Sequence, residues 1–208
     1  MRDYYLDQLG IVAWEVRHRN PPNLSKSLLD ELTTTVSTCT RCPLHLSRSN
    51  TVFARGNPDA KLMVVGEAPG FHEDQQGLPF VGKAGGLLNN MLSSVGFSQE
   101  QIYIANVLKC RPPNNRDPQA EEIKQCGSHL SRQIELINPA LILAVGRFAG
   151  QYLLKSMLSL AKMRSRVHQY EGIDVIVSYH PAYLLRNPSD KKKAYEDLLV
   201  VKSILSKV

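Results

Sequence analysis

The stretch KLMVVGEAPGFHEDQQGLPFVGKAGG, residues 61–86, begins apolar and then changes character. Leu62–Val65 is a short continuous apolar run that ends at a turn signal, the pattern of a strand buried on both faces of a parallel sheet. Six glycines follow between positions 66 and 86, with Glu67, Glu73, Asp74 and a phenylalanine, Phe80, held between Pro79 and Val81. Glycine-rich loops after a strand often cradle phosphates, but both nucleotide fingerprints fail. A dinucleotide loop needs GxGxxG opening a helix, and here Pro69 and Gly70 turn the chain instead. A Walker loop needs GK followed by Ser or Thr, and Gly82-Lys83 is followed by Ala84. The glycines therefore read as turn formers and as points where another backbone or a ligand comes close. Acids and an aromatic ring in such a loop point to a ligand other than a cofactor phosphate.

Outward from this stretch the same alternation repeats. Apolar runs at 62–65, 102–107, 141–145 and 175–177 read as strands, separated by helical patterns at 83–95, 119–137 and 147–160 and closed by a helix over 191–206. This order predicts an α/β sandwich around a parallel sheet, with ligands at the carboxyl ends of the strands. Each strand end carries polar or unusual residues: Gly66-Glu67-Ala68, Asn106, Gly146-Arg147 and the segment SYHPAYLLRNP at 178–188. Three of these ends are expected to converge on one cleft. Upstream, residues 2–19 read as a helix with Tyr5, Leu9, Val12 and Val16 on one face, broken by NPPN at 20–23. A second helix is expected over 25–37. Residues 1–23 form an N-terminal helical extension in this reading, and 24–208 the main domain.

A chain of 208 residues suits one such domain, and 43% hydrophobic and 21% charged residues fit a globular protein. The net charge of +6 mildly favours a polyanionic partner. No apolar run reaches membrane-spanning length, and Met1–Gly10 is too polar for a secretory signal, so the expected location is the cytoplasm, away from membranes. Disulfides are not expected there. The four cysteines instead pair as a close Cys39-x-x-Cys42 and a distant Cys110-x15-Cys126. Together they fit a four-thiolate centre, and the spacing admits zinc and [4Fe-4S] alike.

Three further positions carry chemistry. Asn106, at a strand end, offers both donor and acceptor to the edge of an amide-like ring, or else bonds nearby backbone. His180, fixed before Pro181, can donate to a developing anion or serve the fold alone. Leu184-Leu185-Arg186 sets two apolar side chains beside a cation, suited to insertion into a duplex with phosphate contact, or to core packing. Arg111 and Arg116 make the loop after Asn106 positive, unless they are ordinary solvated charges.

Taken together, CTRCPL (39–44), GEAPGFHED (66–74), GLPFVGKAG (77–85), NVLKCRPPNNR (106–116), the Cys110/Cys126 spacing and HPAYLLRNP (180–188) resemble the family 4 uracil-DNA glycosylases, the iron–sulfur type. The resemblance runs from Cys39 to the last helix. It implies a three-layer α/β/α sandwich with a central four-stranded parallel sheet in the order 2-1-3-4. It implies hydrolysis of the base–sugar bond of uracil in DNA, and a structural [4Fe-4S] cluster on Cys39, Cys42, Cys110 and Cys126. By the same resemblance Phe80 stacks on a flipped uracil, Asn106 reads its O4 and N3 edge, Glu67 and Ala68 line the pocket, and His180 donates to O2. Arg111, Leu184, Leu185 and Arg186 are the expected DNA contacts.

The group that positions water is less defined. A related family has an aspartate where this chain has Ala68, and family 4 also lacks it. Glu73 is favoured over Asp74, and both also suit a role in ordering the loop. A relative that bonds covalently to DNA through a histidine in an inserted basic loop is disfavoured, because CRPPNNRDPQAEE has neither histidine nor insertion. The alternative function is a catalytically weak iron–sulfur DNA-binding module, or one that docks a replication or repair protein through residues 1–23.

Overall fold

The computed structural model describes residues 22–207, so the helix expected over 2–19 lies outside the described residues. Helix α1, Pro22–Ser37, starts on a proline, whose missing amide is harmless in a first turn. Among the described residues six strands form one sheet: β1 (Arg55–Gly56), β2 (Leu62–Gly66), β3 (Ile102–Asn106), β4 (Leu141–Val145), β5 (Val167–Tyr170) and β6 (Ile173–Ser178). Their spatial order is β1-β3-β2-β4-β6-β5. The pairs β3–β2, β2–β4 and β4–β6 are parallel, and both edge pairs are antiparallel.

The expected sheet of four parallel strands is therefore corrected to a mixed sheet of six. Both extra strands escape periodicity for physical reasons. β1 is two residues long, too short to show alternation. β5 is a four-residue edge strand, VHQY, of which Tyr170 alone is buried, so it forms no apolar run. It joins β6 through a two-residue turn, Glu171-Gly172, in which both residues have positive φ (48° and 77°). That geometry matches the right-handed twist of a tight hairpin.

Eight α-helices occur among the described residues, the others being α2 (Phe71–Gln76), α3 (Lys83–Ser94), α4 (Ala120–Ile137), α5 (Arg147–Leu154), α6 (Leu160–Met163), α7 (Pro181–Arg186) and α8 (Lys191–Leu205). The strand period of two splits the core into layers. Met63, Val65, Tyr103 and Ala105 face Leu29 of α1, Leu130 and Ile134 of α4, and Leu153 of α5. Leu62, Val64, Ile102 and Ile104 face Leu88 and Leu92 of α3 and Leu198 and Val201 of α8.

The single helix expected over 147–160 is two. Lys155 takes a left-handed φ of 46° and ends α5. Beyond it Met157 is exposed, so the apolar pattern there is not a buried helix face. No helix among the described residues is long and apolar enough to cross a membrane.

Candidate active site and four-cysteine centre

The parallel register puts Gly66 beside Asn106 at the carboxyl ends of β2 and β3. A cleft of about 420 Å³ opens there, lined by Glu67, Ala68, Glu73, Phe80, Asn106, His180 and Arg186, among others. Seven sequence-predicted residues thus meet at one site. Of the other DNA candidates, Leu184 is fully buried at 0% exposure and Leu185 is 44% exposed. The expected surface turn is the short helix α7, whose turn sends Leu184 into the core and leaves Leu185 outside, so the two cannot act together as a wedge. Arg111 lies outside the cleft, bonded to Asn115 Oδ1 at 2.8 Å and stacked 5.1 Å from the Phe71 ring. Arg116 is no free charge: it pairs with buried Glu122 through two hydrogen bonds, at 2.9 and 2.5 Å.

The loop of residues 66–86 is built around Phe80. Its backbone has φ +55°, a strained value for a residue with a side chain. A Cβ on Gly85 would lie 1.7 Å from the Phe80 carbonyl oxygen, so only glycine fits there. Arg55 donates from Nε to the Pro79 carbonyl and from Nη2 to Asn89 Oδ1, both at 2.8 Å. On the other side, Glu73 Oε1 accepts from the amides of Val81 (3.2 Å) and Gly82 (3.1 Å). Buried Asp74 accepts from the Ser49 amide at 2.9 Å and ties the loop to the preceding segment. Glu73 and Asp74 therefore hold the shape of this loop, and that shape presents an aromatic plate.

Asn106 and His180 face this plate. Asn106 Oδ1 is the one buried side-chain oxygen or nitrogen among the described residues without a hydrogen-bond partner. It is 2.3 Å from where a Gly66 Cβ would be, and the Phe80 ring is 2.6 Å from that point. An unmatched buried carbonyl is costly unless a ligand satisfies it. The His180 ring centroid lies 5.8 Å from that of Phe80. His180 Nδ1 accepts from the Ala182 amide at 3.1 Å, which leaves the proton of the neutral ring on Nε2. Burial, aided by Arg186 and opposed by Glu73, lowers its pKa to about 4. The ring is therefore a neutral donor near pH 7. Burial and then Asp117 raise the Glu67 carboxyl to about 7, with Arg147 opposing. Arg147 itself pairs with Asp117 at 3.2 Å.

The cysteines also converge. All four are free and line one small cavity with Arg48, Lys109 and His129. Arg48 Nη1 donates to Cys110 Sγ at 3.2 Å and to the Cys39 carbonyl at 2.8 Å. The Lys109 amide donates to Cys126 Sγ at 3.2 Å. Among the described residues no three His, Cys, Asp or Glu side chains gather closely enough to ligate a single metal ion.

Residues 53–200 match the family model described as the uracil DNA glycosylase superfamily. The chain belongs to that superfamily. Among this superfamily's curated members, a type-4 uracil-DNA glycosylase of Thermotoga maritima is 44% identical over 88% of this chain and 97% of its own length. One of Archaeoglobus fulgidus is 41% identical over 86% and 94%. A type-5 uracil-DNA glycosylase of Pyrobaculum aerophilum is 31% identical over 74% and 83%. Against this superfamily background, sequence reasoning missed Arg55 and Lys109. Nothing local marks Arg55, whose strand is two residues long, and Lys109 stands in an apolar run as any surface lysine would. Arg147 carried a signal, its place directly after Gly146 at a strand end.

Proposed function

We propose that the chain is a DNA-repair enzyme that extrudes uracil from DNA and hydrolyses its bond to the sugar, leaving an abasic site. The observation that carries this is the unpaired Oδ1 of Asn106, buried beside an aromatic plate and across from a neutral histidine. A uracil inside a duplex is out of reach, so the nucleotide must leave the stack. Phe80 then stacks on the ring face. Asn106 Oδ1 accepts from uracil N3–H while its amide group donates to O4. Cytosine has no proton at N3 and a donor in place of O4, so it leaves both groups mispaired, a penalty worth several kcal/mol.

As the bond to the sugar stretches, negative charge grows on uracil O2, and His180 Nε2–H is free to donate to it. Electrostatic help of this kind is often the largest catalytic term. A ring that stays neutral suits a leaving group that departs as an anion without full protonation. Glu67 and Ala68 line the pocket. Glu73 keeps Oε2 for a water on the sugar side, while Oε1 holds the loop. Leu185 and Arg186 face DNA from α7, Leu184 anchors that helix, and Arg111 meets a phosphate. We read the inner strands as the 2-1-3-4 parallel core that the family resemblance implies. The parallel pairs β3–β2, β2–β4 and β4–β6 support this.

We assign the cysteines a [4Fe-4S] cluster, as the family resemblance implies. Four thiols line one cavity, which matches the four thiolates that such a cluster takes. Cys39 and Cys42, Cys110 after β3 and Cys126 of α4 would hold the cluster, and these three segments would be tied together through it. A DNA substrate is consistent with a cytoplasmic setting, and docking of a repair protein through residues 1–23 is a separate proposal outside the described residues.

The test is uracil release from a labelled U:G duplex by protein purified without oxygen, with His180→Ala as control. Release that the control abolishes is expected. No release from iron-loaded protein would overturn the enzyme reading and leave a DNA-binding module.

A further inference from the structure

Lys109 is 1% exposed and belongs to no role assigned above. Its ammonium donates to the main-chain carbonyl of Asn106 at 2.7 Å and to Gln133 Oε1 at 2.5 Å, and reaches the Phe53 carbonyl at 3.5 Å. Three acceptors match the three protons of the charged form. Among the described residues it makes no ion pair with a carboxylate. A buried charge without a counter-charge is strongly unfavourable. The residue borders the cysteine centre: Lys109 precedes Cys110, lines the same cavity, and gives its own amide to Cys126 Sγ. One residue therefore touches the thiolate site through its backbone and the base-reading residue through its side chain. Gln133, which holds the ammonium, is fixed in turn by Nε2 donating to the Phe53 carbonyl and to Tyr103 Oη, both at 3.2 Å.

We propose that Lys109 is a positioning residue that couples the four-cysteine centre to uracil recognition, its buried ammonium balancing the anionic centre while it fixes the Asn106 backbone. This rests on the cluster reading given above. It makes the centre more than a clasp on the outer loops, since the centre's charge keeps in place the cation that aims Asn106.

A double-mutant cycle tests it, on full-length chains purified without oxygen, with iron per chain and single-turnover uracil excision both measured. Lys109→Met is expected to slow excision by roughly 10- to 100-fold, as misplacing a reacting group does. In an Asn106→Ala background the same substitution should slow it by less than about 3-fold, because a residue acting through Asn106 has nothing left to position. Iron should also leave Lys109→Met faster than the parent under a chelator. Equal losses in both backgrounds, or excision within about 3-fold of the parent, would overturn the coupling. Unchanged iron loss would overturn the charge-balancing half. If Lys109→Met does not fold, Gln133→Met, which removes one acceptor and keeps the volume, enters the same cycle with the same criteria. A parent that carries no iron when purified in this way sinks the cluster reading instead, so the two failures are told apart.

Discussion

Gly66→Ala is the sharpest probe of the pocket. Gly66 is the last residue of β2, and its φ is not positive, so alanine meets no backbone strain there. The effect is purely steric. A Cβ at this point lies 2.3 Å from Asn106 Oδ1, 2.6 Å from Phe80 Cζ and 2.8 Å from Phe80 Cε2, whereas ordinary contact begins at 3.4 Å. Both groups must move by about 1 Å, and a displacement of that size costs on the order of 10²-fold in rate. Overpacking of this kind also costs roughly 1–3 kcal/mol of stability. Gly86→Ala is the matched control, because a Cβ there has nothing within 4 Å. The assay is single-turnover excision at saturating enzyme, with melting temperatures recorded for both variants. Gly66→Ala excising uracil within about 3-fold of the parent would refute the placement of base between Asn106 and Phe80.

Other expectations follow from the same geometry. Arg55→Met frees the Pro79 carbonyl and should slow excision by up to about 10²-fold while duplex affinity holds, as titrations with intact uracil-free DNA would check. Cys42→Ala should lower iron per chain and melting temperature together, and an iron-loaded, brown Cys42→Ala protein would remove it from the ligand set. His180 has a pKa near 4 when folded and about 6.5 when unfolded, so the unfolded chain binds more protons between these values. Its contribution to stability is complete above pH 6.5 and is lost as pH falls towards 4. Urea midpoints at pH 7 and 4.5 should therefore differ less in His180→Asn than in the parent, and equal acid losses would contradict the buried neutral ring.

What was legible in the sequence depended on how local the physics is. β2, β3 and β4 are buried at every residue, and such strands announce themselves as unbroken apolar runs. Asn106 and His180 stood out because polar residues interrupt those runs where strands end. The edge strands hold too few apolar residues to leave a period. Leu184 and Leu185 look alike in sequence, and only the turn of α7 separates a core residue from a surface one. Arg55 acts on a carbonyl 24 positions away, and Lys109 on a glutamine 24 positions away. No window on the sequence joins such pairs. Glu73 was read as an acid near the chemistry, and its bonds to the Val81 and Gly82 amides are visible only once the loop has closed on itself.

The backbone of Phe80 has one further consequence. A left-handed residue with a side chain stores about 1 kcal/mol or more of strain, and here the neighbours on both sides pin it in place. The ring is thus set before any nucleotide arrives. A base outside the helix is a brief event, and a protein scanning a long duplex meets each one for a moment only. A base that leaves the stack meets this plate without waiting for the Phe80 loop to form. A damaged or mispaired base, which leaves the stack more readily, is then caught more often through its own restlessness, before any of its atoms has been read.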